Sequence, residues 1–122
     1  MELRTALLVF IGGGVGAVIR WLIGVGVGLW STSIFPWATL IANFLSVMIL
    51  IGSVHYLPSL AGDGLRALVI VGLCGGLSTF STFSLETVQL VRSGAFLLAG
   101  ANIALSVAIC LAALSYLLPE AD

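Results

Sequence analysis

The sequence predicts an all-α membrane protein with four transmembrane helices, and two observations carry that prediction. Hydrophobic residues make up 61% of the 122-residue chain and charged residues only 7%, where a soluble domain carries about 25% charge. The few charges are also widely parted. Arg4 to Arg20, Arg20 to Asp63, Arg66 to Glu86 and Arg92 to Glu120 all bracket apolar runs, each at or near the roughly 20 residues that a helix needs to cross a bilayer core. Lysine is absent and the net charge is −1, which excludes the dense basic patch of a nucleic-acid-binding protein.

The first span is expected from about Thr5 to Leu29. Its start, Met1-Glu2-Leu3-Arg4 before an apolar stretch, looks faintly like a signal peptide. It has no clear small-x-small cleavage site and runs on through Gly13, Gly14, Gly16 and Arg20, so it reads as a retained first helix. The polar turn Trp30-Ser31-Thr32-Ser33-Ile34-Phe35 follows. Pro36 then opens the second span, because a missing N–H costs little in a helix's first turn. That span is expected to stop at Leu57, before Pro58, with Ala61-Gly62-Asp63-Gly64 as the next turn. The third span runs from about Leu65 to Val91 and ends at Arg92-Ser93-Gly94; the fourth runs from about Ala95 to Leu118, before Pro119 and an acidic tail. Trp30 and Trp37 fall at one membrane interface and Tyr56 and Tyr116 at the other, as aromatic belts do. Residues 1–122 thus form one domain without a linker. Cys74 and Cys110 sit in mid-span and read as buried free thiols, since disulfide frameworks belong to secreted, loop-rich chains. With a single His they match no metal-ligand spacing.

An even number of spans puts both termini on one side. Arg4 and Arg66 lie on that side. Arg92 lies on the other, as does Arg20, about 24 Å along the first helix from Arg4. The count is two against two, so the charge rule selects no orientation. The expectation is dual insertion and an antiparallel homodimer with an inverted copy.

Polar residues inside the spans recur at helical spacing: Thr39, Asn43 and Ser46; Thr79, Thr82 and Glu86; Asn102, Ser106 and Cys110. Each set shares one helix face. They read either as a polar pathway or as interhelical glue, and for Ser106 or Cys110 alone glue is the simpler reading. Gly12 and Gly16, Gly24 and Gly28, and Gly72 and Gly76 form small-xxx-small pairs that let helices approach closely. The stretch from Gly72 to Ser84 holds a Gly pair and five hydroxyl residues. It is a poor recipe for an unbroken apolar helix, and it lies roughly 14–18 Å past Arg66, near the midplane. Broken helices at that depth persist only where protein or water satisfies the freed backbone, and they commonly present carbonyls to an ion. Phe80 and Phe83 project beside those hydroxyls. Arg20 is an intramembrane cation, which marks a function by default. It either attracts an anion or snorkels and pairs with Glu86.

With these residues in view, the chain resembles the CrcB/Fluc family of fluoride channels along essentially its whole length. The resemblance rests on Gly13-Gly14-Val15-Gly16-Ala17-Val18-Ile19-Arg20-Trp21, on Thr39-Leu40-Ile41-Ala42-Asn43, and on Gly72 to Phe83 with Glu86 beyond. It implies passive fluoride export by an antiparallel homodimer with two pores, without catalysis, in a bacterial inner membrane. Phe80 and Phe83 then supply a box of ring edges facing fluoride, Asn43 donates its amide to the ion, and Arg20 lines the vestibule. Carbonyls of Gly75 and Ser78 hold a structural sodium ion on the two-fold axis. Thr39, Ser81, Thr82, Glu86, Ser106 and Asn102 complete the pore candidates. The chain departs from the family pattern at Ala38 (often Gly), at Ser46-Val47-Met48 (commonly Gly-Ser-Phe), at Ser78 (often Thr) and at Asn102 (often Tyr).

Three other readings compete. A small multidrug/proton antiporter shares the length and span count but needs a central titratable carboxylate; the first span offers only Arg20, and Glu86 lies toward an interface. An intramembrane serine protease needs His55 beside Ser78 or Ser81, which sit at different depths. A structural subunit of a larger complex is the third.

Overall fold

The computed structural model describes residues 2–60 and 62–120, with only the backbone of Ser59 and Leu60. Ala61 of the predicted turn and Asp122 of the predicted tail lie outside the described residues. Among the described residues six α-helices occur: α1 (Glu2–Trp30), α2 (Trp37–Leu60), α3 (Asp63–Arg66), α4 (Gly75–Leu77), α5 (Ser81–Arg92) and α6 (Phe96–Leu117), with a π-helical stretch at Ala67–Cys74 between α3 and α4. Among the described residues no strand occurs. Four runs of the described residues are long and apolar enough to cross a membrane: Glu2–Trp30, Trp37–Pro58, Asp63–Arg92 and Phe96–Leu117. The third is thus assembled from α3, the π-helical stretch, α4 and α5.

The elements end where local chemistry ends them. Between α1 and α2 the backbone turns on its own serines: Ser33 N–H donates to Ser31 Oγ and Phe35 N–H to Ser33 Oγ, both at 3.1 Å. Such short hydroxyl bonds compete with helix continuation. Buried Phe35 then packs on Trp37, ring centroids 4.6 Å apart. Past α5, Gly94 adopts φ 83°; its N–H reaches the Val91 carbonyl and that of Ala95 the Leu90 carbonyl. This glycine-terminated motif satisfies the last carbonyls and sends the chain back into α6. Several ends run past expectation: Trp30 closes α1, Asp63 and Gly64 open α3, and Arg92 closes α5, all four having been expected in turns, because the backbone stays helical to the polar residues at each end. α2 continues through Pro58 to Leu60, past the predicted stop at Leu57. In the helix's last turn Pro58 removes a single bond, the one its missing N–H would make to the Val54 carbonyl.

Glycine pairs set the tightest contact. A Cβ on Gly12 would collide with the Leu68 carbonyl, one on Gly16 with that of Leu73, and one on Gly76 with that of Gly13; on Gly72 it would lie 2.8 Å from the Val9 carbonyl. α1 therefore meets the third span backbone to backbone, the close approach that small-xxx-small pairs permit. Gly24 and Gly28 behave differently, with nothing within 4 Å of either Cβ position. α2 packs on α6, α1 and the π-helical stretch, and α5 packs on α6. The core is thin, centred on Leu77, Ala42 and Asn102, while Phe10, Leu97, Trp30 and Tyr116 stand exposed. An apolar exterior over a small interior is the surface of a multi-pass membrane protein.

Candidate functional site

α4 ends at Leu77, Ser78 is extended (φ −80°, ψ 153°), and helix resumes at Ser81. Side chains from two directions hold this interruption. The Cys74 carbonyl accepts from Ser78 N–H (3.0 Å), Ser78 Oγ (2.8 Å) and, across from α2, Ser46 Oγ (2.9 Å). One turn earlier on α2, Asn43 clamps Thr79 at both ends. Its Oδ1 accepts the Thr79 N–H at 2.7 Å and its Nδ2 donates to the Thr79 carbonyl at 3.2 Å. Thr79 Oγ1 in turn accepts the Thr82 N–H at 3.1 Å, satisfying an open donor in the first turn of α5.

These bonds divert two backbone donors from their helical acceptors. In an unbroken α-helix the Thr79 N–H would serve the Gly75 carbonyl and the Thr82 N–H the Ser78 carbonyl. Both donors are instead turned to Asn43 and to Thr79 Oγ1. Between them, the Gly76 carbonyl receives Arg20 Nε at 3.1 Å.

The polar strips pair in rungs. The α2 strip meets the third span three times: Thr39 Oγ1 donates to Glu86 Oε1 at 2.9 Å, Asn43 grips Thr79, and Ser46 reaches Cys74. The α6 strip meets α5 through Asn102, whose Nδ2 donates to Thr87 Oγ1 at 2.9 Å.

Two concavities flank this ladder. A groove of about 370 Å³ is bounded by Asn43, Ser78, Thr79, Phe80, Phe83 and Ser106, with Val47, Val107, Cys110 and Leu111 as its apolar wall. The Phe80 and Phe83 rings lie 5.8 Å apart at 36°. Phe80 is 79% exposed. A smaller cavity of about 200 Å³ gathers Arg20, Trp21, Gly24, Ala38, Thr39, Thr82 and Glu86, and the second carboxylate oxygen of Glu86 is buried there without a partner. Thr39 and Asn43 put the two spaces about one helical turn apart along α2.

The expected pore residues thus divide. Asn43, Phe80, Phe83 and Ser106 line the groove; Arg20, Thr39, Thr82 and Glu86 line the smaller cavity. Ser81 is exposed, with its Oγ 3.3 Å from that of Thr79. Asn102 is fully buried between α5 and α6, away from both linings. Cys74 is buried as expected, but Cys110 is half-buried on the groove wall. Its helix face looks into open space where an interior position was anticipated. The sequence reading passed over Thr87, which accepts from Asn102 and donates to the Phe83 carbonyl at 2.7 Å. The available signal was its spacing, one turn past Phe83. His55 is twelve residues beyond Asn43 on α2, about 18 Å away, far from the serines of the interruption.

A groove with apolar walls and a few fixed donors suits a small anion more than a reaction. The Asn43 amide carries two N–H groups and spends one on Thr79. Residues 7–117 match the family described as CrcB-like protein, Camphor Resistance (CrcB). The chain belongs to the CrcB family. Similar CrcB relatives carry the name fluoride-specific ion channel FluC. That of Phocaeicola vulgatus is 42% identical over 96 residues, covering 77% of this chain and 78% of its own. That of Pectobacterium atrosepticum is 44% identical over 108 residues (85% and 83%), and that of Shewanella woodyi 41% over 111 (89% of each). An antiporter reading gains nothing from these CrcB relatives.

Proposed function

We propose that this protein is a fluoride-selective channel that lets the ion leave the cell passively. The observation that carries the reading is the groove in which the Asn43 amide, the Ser106 hydroxyl and the paired rings of Phe80 and Phe83 meet, together with relatives named as fluoride-specific channels. Fluoride sheds part of its hydration shell on entering a narrow path and must be repaid by fixed donors. The free N–H of Asn43 acts as such a donor, and the positive edges of the two rings attract the ion without binding it too firmly to leave. Arg20, with Thr39 and Thr82 in the smaller cavity, raises the local anion concentration by its fixed charge. No bond is made or broken, so the protein is not an enzyme.

The working unit on this reading is an antiparallel homodimer in a bacterial inner membrane, each pore drawing on both copies. The even arginine count and the exposed Phe80 support it. The interruption at Ser78 falls near the bilayer midplane, where the two-fold axis of an inverted pair must lie. Sodium suits that place: the Gly75 and Ser78 carbonyls are among those stripped of their helical donors, and nothing lies within 4 Å of the Cβ position of Gly75. Two such hard oxygens from each copy fit an alkali cation. When bound, sodium supplies positive charge that ties the two interruptions together.

Purified protein in liposomes loaded with potassium fluoride tests the function. Addition of valinomycin is expected to release fluoride quickly and chloride negligibly, with no dependence on a proton gradient. Proton-coupled movement of cationic drugs, with no fluoride release, would falsify the channel reading.

A further inference from the structure

We infer that Asn102 and Thr87 form a buried positioning pair that sets the distance between the two walls of the groove, and through it the selectivity among anions. The inference rests on the channel reading and goes beyond it, since it gives Asn102 a role outside the ion path. Asn102 is one of the two largest fully buried side chains among the described residues. A buried amide in an apolar bundle costs free energy unless its groups are paired, and the partners here connect the two walls. Asn102 Nδ2 donates to Thr87 Oγ1 at 2.9 Å, and Thr87 Oγ1 donates its own proton to the Phe83 carbonyl at 2.7 Å. On the other side Asn102 Oδ1 faces the Ser106 hydroxyl at 3.5 Å. The relay therefore starts at Ser106 and ends at Phe83, and both of these line the groove. Neither Asn102 nor Thr87 does. Thr87 satisfies both roles with one hydroxyl, donor to α5's own backbone and acceptor from α6. The pair fixes α6 against α5 at the Phe83 carbonyl.

A longer side chain at position 102 that pointed into the groove would contribute directly to the ion path. Asn102 is too short and too enclosed to do so. It instead holds the walls at one spacing, so that a small anion meets the ring edges and the α6 wall at Ser106 together while a larger one does not. Loosening the pair widens the groove. The effect is greater on discrimination than on flux.

The test compares Thr87→Ser, which keeps the hydroxyl, with Thr87→Ala, of nearly the same volume without it, alongside Asn102→Leu. Fluoride and chloride release are measured from liposomes containing each purified protein, with gel filtration in detergent as the folding control. Thr87→Ser is expected to keep the wild-type fluoride-to-chloride ratio within twofold. Thr87→Ala and Asn102→Leu are each expected to lower it at least tenfold, and the double variant Thr87→Ala/Asn102→Leu to lower it no further than the stronger single change, since one relay is lost in each. A ratio within twofold of wild type in folded Thr87→Ala and Asn102→Leu overturns the inference. So does loss of folded protein in Thr87→Ala but not in Thr87→Ser, which makes the hydroxyl a stability element alone. A wild-type protein that releases no fluoride sinks the channel reading itself, whereas wild-type release with unmoved variants sinks only the positioning pair.

Discussion

Asn43→Asp changes one atom type at the point where the clamp on Thr79 and the groove meet. The Oδ1 bond from the Thr79 N–H (2.7 Å) survives, now to a charged acceptor, while the Nδ2 bond to the Thr79 carbonyl (3.2 Å) is lost. An ionised carboxylate accepts hydrogen bonds only, so a carboxylate oxygen is left facing a carbonyl oxygen. The expected cost to folding is about 1–3 kcal/mol, the range for a polar group left unpaired. The cost to conduction is larger. A fixed negative charge at about 5 Å from a passing anion, at an effective dielectric near 20, raises its energy by about 3 kcal/mol. Carried into the barrier, that is a loss of roughly 150-fold in rate. Fluoride-electrode traces from liposomes at a fixed protein-to-lipid ratio read the rate, and gel filtration confirms the folded species. If folded Asn43→Asp releases fluoride within about twofold of wild type, a barrier change of roughly 0.4 kcal/mol, the groove beside Asn43 is not the ion path.

Other expectations follow from the same geometry. Phe80→Ile and Phe83→Ile keep apolar bulk but remove the electropositive ring edge, so each is expected to cut fluoride flux at least tenfold with little change in elution profile; unchanged flux in both means the rings are packing. Gly16→Ala drives a methyl into the Leu73 carbonyl and within 2.7 Å of the Leu77 nitrogen, an overpacking worth about 1–3 kcal/mol. Gly28→Ala enters open space and is expected to be near neutral, so thermal inactivation in detergent that fails to separate the two disproves the backbone seam. A C-terminal tag on the assembled protein is expected to react with impermeant label from both faces of sealed vesicles. Reaction from one face only rules out dual insertion.

Much of this architecture is written in the chain. Charges so few and so far apart leave runs that only a bilayer can bury, and the four runs found agree with the expected spans to within a few residues. Helical spacing alone also grouped Thr39 with Asn43 and Ser46 on one face, and that face is the one that bonds the third span. Periodicity reports which side chains share a face but not what the face meets. Only the folded chain decides that Gly12 and Gly16 press on backbone while Gly24 and Gly28, spaced identically, meet open space. The same holds for Asn102. Its position and polarity made it a pore candidate, yet the packing of α6 on α5 encloses it and gives its amide to Thr87, a residue whose spacing from Phe83 does not say what it meets. The π-helical stretch from Ala67 to Cys74 likewise has no composition of its own. The geometry of a carbonyl such as that of Cys74, with three donors converging from two elements, depends on where α2 lies in space, and a linear pattern of residue types does not encode that distance.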